Sequence, residues 1–384
     1  MAASQLIRKI CYVTGTRADF GLMKDTLNSI NNHSQLNLRL IVTGMHLLPS
    51  YGDTWLEIES SGFSIAAKVP VMLSGSGSGA EMAKALGEQV IGITQAFQEE
   101  QPEMVLLLGD RGEMLAAAIA ALHLNTPIVH IHGGELSGTI DESVRHAISK
   151  LSHYHFTATE QSRARLICMG EMEEHIFVTG APGVDAIVNA PLLSRDYLNH
   201  KFGLEQSQSY ILVLFHPVVQ DVINAGEQMR TLLNAVLATD MQALILMPNA
   251  DAGGNDIARV ISEYVEQYDL LQSATHVERS RFLSLLAESE VIVGNSSSGI
   301  IEAASLSTPV VNVGKRQNCR ERNANVVDCM LDTESILSSI DKALNMKGET
   351  WQNVYGDGQS SNRITQLLAE LPLTADILDK VNAY

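Results

Sequence analysis

The sequence predicts an α/β protein built from two Rossmann-like units. Three observations predict it. Short aliphatic runs alternate with helix-length segments, the pattern of a parallel sheet. That pattern restarts in the second half of the chain. The chemically loaded residues fall just after the aliphatic runs, where open parallel sheets bind their ligands.

In the first half, the predicted strands are 10–13, 38–42, 105–108, 128–131, 155–157 and 176–178. Helices fit between them. Segment 112–123, GEMLAAAIAALH, is almost pure helix former, and 81–99 ends before Pro102. In the second half, 211–215, 243–247, 291–293 and 310–313 read as strands, and segments near 222–238, 254–268, 279–288 and 297–306 as helices. The stretch 180–194 is the expected junction. It divides the chain into domains 1–185 and 186–370, with 371–384 as a C-terminal helix packing back on the first domain. The run 74–79, SGSGSG, reads as a flexible loop, or functionally as a mobile lid.

Composition narrows the function classes. The 384 residues are 45% hydrophobic but only 5% aromatic, which suits aliphatic layers better than an aromatic-lined carbohydrate-binding sandwich. A formal net charge of −18 argues against nucleic acid as a partner, so an anionic ligand has to be held by local groups. No apolar run approaches the ~18 residues of a membrane span, and the N-terminal apolar run is too short for a signal peptide. The four cysteines form no CxxC pair, and Cys11 reads as a small buried thiol in a strand. The expectation is a cytoplasmic protein with no membrane partner.

The first loaded loop is Thr14-Gly-Thr-Arg-Ala-Asp19. Glycine allows close backbone approach, and Arg17 suits a phosphate. The pattern is not GxGxxG, so NAD is not indicated; a simple turn is the plain alternative. The second is Gly109-Asp110-Arg111, which reads as an active-site pair or as a helix cap with a surface ion pair. The third runs from His130-Ile-His132-Gly-Gly-Glu135 to Asp141 and Arg145. Carboxylates and imidazoles gathered at one strand end suit acid–base work. Asp141 also reads as a helix cap.

His130, His132, His146, His153 and His155 raise the question of zinc. His130 and His132 alternate along a strand and point to opposite faces, and no HExxH occurs, so no metal is expected. In the second half, His216 follows a strand in Phe-His-Pro, and Asn249 and Asp251 follow the next. Gly294-Asn-Ser296-Ser297-Ser-Gly, Glu302 and Lys315-Arg316 then supply amides, hydroxyls, a carboxylate for a ribose diol and cations for a diphosphate. The plain alternatives are a structural histidine, an ordinary loop and a capped helix.

In order, GTRADFG, VTGMH, GDR, GGELSGTIDESVRH, FHP, NADAG, GNSSSG, GKRQ and YGDG span nearly the whole chain. Together they resemble the hydrolysing UDP-N-acetylglucosamine 2-epimerases of sialic acid biosynthesis. The resemblance implies a GT-B fold, with the active site in the cleft between its two domains. It implies conversion of UDP-GlcNAc and water to N-acetylmannosamine and UDP, no cofactor, and a homodimer or homotetramer. It assigns UDP to Arg17, Asp19, Arg111, His216, Asn249, Ser296, Ser297, Glu302 and Arg316, with His46, Arg145 and Asp251 beside them. It assigns catalysis to Asp110 and Asp141, with His216 a further candidate. Many relatives carry HIE where this chain has HIH, so the third acid–base group lies open between His132 and Glu135.

The implied chemistry is elimination to a glycal followed by addition of water. Three rival readings remain: the same chemistry on a UDP-2,4-diacetamido-trideoxy sugar, a non-hydrolysing 2-epimerase, and a GT-B glycosyltransferase. A non-enzymatic nucleotide-sugar binding module would leave the strand-end carboxylates without a purpose.

Overall fold

The protein is described from a computed structural model covering residues 7–49, 52–71, 79–136, 140–188, 191–248, 253–275 and 277–384. The chain forms two compact units, Met1–Ala186 with Gly358–Tyr384, and Ile187–Asp357.

The first unit holds seven strands: β1 (Arg8–Thr14), β2 (Leu36–Thr43), β3 (Ile65–Val69), β4 (Met104–Leu108), β5 (Ile128–Ile131), β6 (Tyr154–Thr157) and β7 (Ile176–Val178). They pair in parallel in the order β3-β2-β1-β4-β5-β6-β7. The second unit holds β8 (Tyr210–Leu214), β9 (Gln242–Leu246), β10 (Leu271–Ala274), β11 (Val291–Gly294), β12 (Val310–Val313) and β13 (Val326–Cys329). Their order, β10-β9-β8-β11-β12-β13, repeats the same parallel scheme.

Interior strands are buried on both faces, so they read as aliphatic runs; β4, MVLLL, is buried at every position. The strands absent from the sequence reading are β3, β10 and β13. All three lie at or next to sheet edges and carry mixed residues: IAAKV, LQSA and VVDC. Only Val69 of β3 and Leu271 of β10 are buried, and no residue of β13 is.

The C-terminus departs from expectation. The last α-helix is Ser360–Glu370, not 371–384, and it belongs to the first unit. Ile364, Leu368 and Leu371 join the core that includes Phe20, Met23 and Leu27. Two side-chain bonds tie it to helix Arg17–Asn31: Thr26 to Ser361 and Ser29 to Thr365, each at 2.9 Å. Pro372 ends it, because the residue before a proline avoids helical backbone, and Leu371 has ψ 134°. Beyond it only Ala375–Leu378 forms a 3₁₀ turn, with Ile377 buried in the same core.

Each sheet reverses its winding once, between β1 and β4 and between β8 and β11. At such switch points the strand-end loops diverge and leave a crevice. The residues after β1, β4 and β5 in the first unit, and after β8 and β11 in the second, are therefore the candidate site residues.

Candidate active site

The loop after β1 is built by a capping box. Thr16 caps helix Arg17–Asn31, and Asp19 reaches back to it. Asp19 Oδ2 accepts from the Gly15 and Thr16 amides at 3.1 and 2.8 Å, and Oδ1 accepts from the Thr14 hydroxyl. Burial pushes the Asp19 carboxyl up to about 6 against these bonds, which lower it. Because Thr14 gives its proton to Asp19, its oxygen accepts from His46 Nε2 at 3.0 Å. His46 is fully buried, which lowers its pKa to about 4, so the neutral ring accepts from Thr54 at Nδ1, 2.7 Å away. Asp19 and His46 thus support the loop from within. Arg17 is 56% exposed and pairs with Glu57 at 3.2 Å. An exposed pair of this kind is worth about 0–1 kcal/mol, so a phosphate can displace it.

Arg111 is held by a residue absent from the sequence reading. Glu113 receives both Nε and Nη2 of Arg111 at 3.2 Å and is buried. Its carboxylate fills the space beside Gly15 and Gly44. A Cβ on either glycine would come within 2.7 Å of the Glu113 side chain, and Gly44 also has φ +58°. Glu113 therefore joins the loops after β1, β2 and β4. Its signal was present: one carboxylate inside an otherwise apolar helix.

Asp110 leads into an ionic chain. Arg145, 4% exposed, donates Nη2 to Asp110 and Nη1 to Glu135, the latter at 3.0 Å. Burial of the guanidinium is outweighed by these two carboxylates, and its pKa is raised. Glu135 Oε1 lies 3.5 Å from His132 Nδ1. His132 sits just past the end of β5 with φ +65°, a conformation that histidine tolerates better than most residues. His130 turns elsewhere: Nε2 donates to the Gly109 carbonyl at 2.7 Å, and Nδ1 accepts from Ser149 at 3.0 Å. Asp141 lies exposed in the first turn of helix Ile140–Leu151.

In the second unit, the Asn295 side chain clamps the His216 backbone, accepting from its amide at 2.7 Å and donating to its carbonyl at 2.9 Å. The Asn295 carbonyl receives Arg316 Nη1 at 3.1 Å and Gln317 Nε2 at 3.0 Å. These bonds gather His216, Ser296 and Arg316 at the switch point after β8 and β11. Ser296 caps the short helix Ser297–Ile301. Glu302 is buried, and Arg279 holds its Oε2 at 2.9 Å. Arg279 was not singled out from sequence. Asn249 and Asp251 lie outside the described residues, as do 74–78 of the glycine–serine run.

A family model described as UDP-N-acetylglucosamine 2-epimerase matches residues 28–369. The chain is 51% identical to a Legionella pneumophila protein named UDP-N,N'-diacetylbacillosamine 2-epimerase (hydrolyzing), across 99% of this chain and 100% of that one. It is 35% identical to a Neisseria meningitidis UDP-N-acetylglucosamine 2-epimerase, across 95% of each. A solved structure of UDP-GlcNAc 2-epimerase from Neisseria meningitidis, bound to UDP-GlcNAc, matches with TM-score 0.78 at 19% identity, covering 94% of this chain and 99% of that one. The likeness in structure shows the fold: two parallel-sheet units of GT-B type. Among the described residues, no helix is long and apolar enough to cross a membrane.

Proposed function

Since this chain belongs to the UDP-N-acetylglucosamine 2-epimerase family, we propose that it is a hydrolysing 2-epimerase acting on a UDP-2,4-diacetamido-trideoxy sugar. The observation that carries this reading is the 51% identity, end to end, with the Legionella relative named for that substrate class. It moves the substrate away from UDP-GlcNAc, the first expectation from sequence. UDP-GlcNAc remains the second reading, favoured by the 35% identity to the Neisseria relative.

The reaction inverts C2 through a glycal. The C1–O bond breaks and its electron pair leaves with UDP, while a base removes the C2 proton. Water then adds its hydroxyl at C1, and a proton returns to C2 from the opposite face. Inversion by this route needs two groups that handle protons. Asp110 and the His132–Glu135 pair sit at the two ends of one guanidinium, that of Arg145. That separation supports giving proton removal to one and proton return to the other, with Asp141 assisting. In the second unit, Ser296, Ser297 and Arg316 suit the diphosphate. Glu302, oriented by Arg279, suits the ribose diol. Donors aimed at the departing diphosphate stabilise the charge that develops there.

The test is a product analysis in D2O with each UDP-sugar in turn. The diacetamido substrate should give free sugar deuterated at C2, plus UDP, with kcat/KM at least about tenfold above UDP-GlcNAc, a difference of about 1.4 kcal/mol. Preference for UDP-GlcNAc would move the assignment to the second reading. A UDP-linked epimer as product would make the enzyme non-hydrolysing.

A further inference from the structure

We infer that Lys380 is a positioning residue for Asp110, acting through Ser149 and His130. Lys380 lies in the last segment of the chain, far in sequence from the site. Its ammonium donates to the carbonyls of Ser149, Lys150 and Ser152 at 3.1, 3.0 and 2.5 Å. Those carbonyls lie at or just past the end of helix Ile140–Leu151, where the Ser152 amide reaches only the Ser149 carbonyl, at 3.1 Å, and where a cation is favoured. One side chain thus closes the helix that carries Asp141 and Arg145.

The ammonium is itself held. Glu171, 2% exposed, pairs with Lys380 and with Lys150, each at 2.6 Å, and accepts from His155 Nε2 at 2.9 Å. Burial alone would raise the Glu171 carboxyl, but bonds from His155, Lys150 and Lys380 hold it down at about 2. Two more bonds fasten the tail: Lys150 Nζ to Asn382 Oδ1 at 2.7 Å, and the Ala383 amide to the Gly170 carbonyl at 2.9 Å.

The connection to the site runs through one residue. Ser149 gives its carbonyl to Lys380 and its hydroxyl to His130 Nδ1. His130 is fully buried, and its Nε2 donates to the carbonyl of Gly109, the residue before Asp110. Arg145 is four residues before Ser149, on the same helix face, and binds the Asp110 carboxylate. A shift of this helix therefore moves both the backbone and the side-chain hold on Asp110. Misplacement of a reacting group by about 1 Å can cost ~10²-fold in rate.

The inference rests on the proposed role of Asp110. The test uses the full chain with Lys380→Met, Ser149→Ala, the double variant, and Asp110→Asn as reference. It measures kcat, KM and calorimetric UDP affinity well below the melting temperature. Each single variant should lower kcat on the order of tenfold, with KM and UDP affinity unchanged. The double variant should fall little further than the worse single one, as expected for members of one chain of contacts. Should Lys380→Met fail to fold, Ser149→Ala decides through the same split between kcat and KM. Unchanged kcat with a lowered melting temperature, or losses that simply multiply, would overturn the relay. If Asp110→Asn abolishes turnover while the other variants keep it, the relay alone is wrong. If Asp110→Asn turns over normally, the site reading falls, and the inference with it.

Discussion

His132 Nδ1 stands 3.5 Å from Oε1 of Glu135. Sequence alone left these residues as rivals for one role; the geometry makes them neighbours. The other Glu135 oxygen is held by Arg145 at 3.0 Å. A fixed carboxylate this close to an imidazole favours the protonated ring. We expect His132→Gln and Glu135→Gln each to lower kcat about 10²-fold, and the double variant to be little worse than either. The limb that a catalytic imidazole adds to the rate profile should disappear in His132→Gln. Full activity in both single variants would remove the pair from the mechanism.

Asp110 and Asp141 are the other expected proton-handling groups. Asp110→Asn and Asp141→Asn should each lower turnover by roughly 10²–10⁴. UDP affinity should survive, because most of the diphosphate candidates, Ser296, Ser297 and Arg316, stand in the second unit. Loss of UDP binding by calorimetry would instead make these carboxylates part of the nucleotide site.

Arg145 carries a different cost. It is 4% exposed and serves both Asp110 and Glu135. Arg145→Met would take their shared cation from the buried Glu135 carboxylate and the 25% exposed Asp110 carboxylate. Removing one partner of a buried ion pair typically costs 3–5 kcal/mol. Urea unfolding should report a loss of about that size, and a loss under about 1 kcal/mol would mean that water reaches the cluster freely.

The diphosphate assignment is tested by Ser297→Ala and Arg316→Ala. A bond to a charged group is worth about 1.5–3 kcal/mol, so Arg316→Ala should weaken UDP binding by tenfold or more. Ser297→Ala should cost less. Unchanged affinity in both variants would sink the assignment.

How much of this was legible follows from what each residue answers to. Interior strands were found because burial on both faces demands aliphatic runs, as in β4 and β5. Edge strands such as β10 bury one residue and carry no such demand. Asp110, His132 and Glu135 were visible because chemistry at a strand end has a local sequence signature. Glu113, Arg279 and Lys380 carry no such signature because their meaning is tertiary: Glu113 matters through Gly15 and Gly44, Arg279 through Glu302 and Lys380 through Glu171. The last helix lies before residue 371 and not after it because Pro372 stops it.

The buried histidines make the last prediction, on stability against pH. His46, His130 and His153 are 0%, 0% and 4% exposed. Burial is the main cause that lowers their pKa values from 6.5 to about 4, 3 and 4. Between those values and 6.5 the unfolded chain binds protons that the folded chain does not. Stability therefore falls as pH drops through this window, by up to about 1.4 kcal/mol per pH unit for each histidine. Glu171 adds a second, lower window. Its folded value of about 2 lies below the ordinary 4.5, so its contribution is complete above 4.5 and is lost from there downward. Urea unfolding at pH 7, 6 and 5 should give steadily lower midpoints. His153→Asn should flatten that trend by about one proton, since the His153 ring accepts from the Ile128 amide at 3.0 Å and lies outside the proposed chemistry. Midpoints that stay level from pH 7 to pH 5 would mean that these imidazoles already carry their protons in the folded chain.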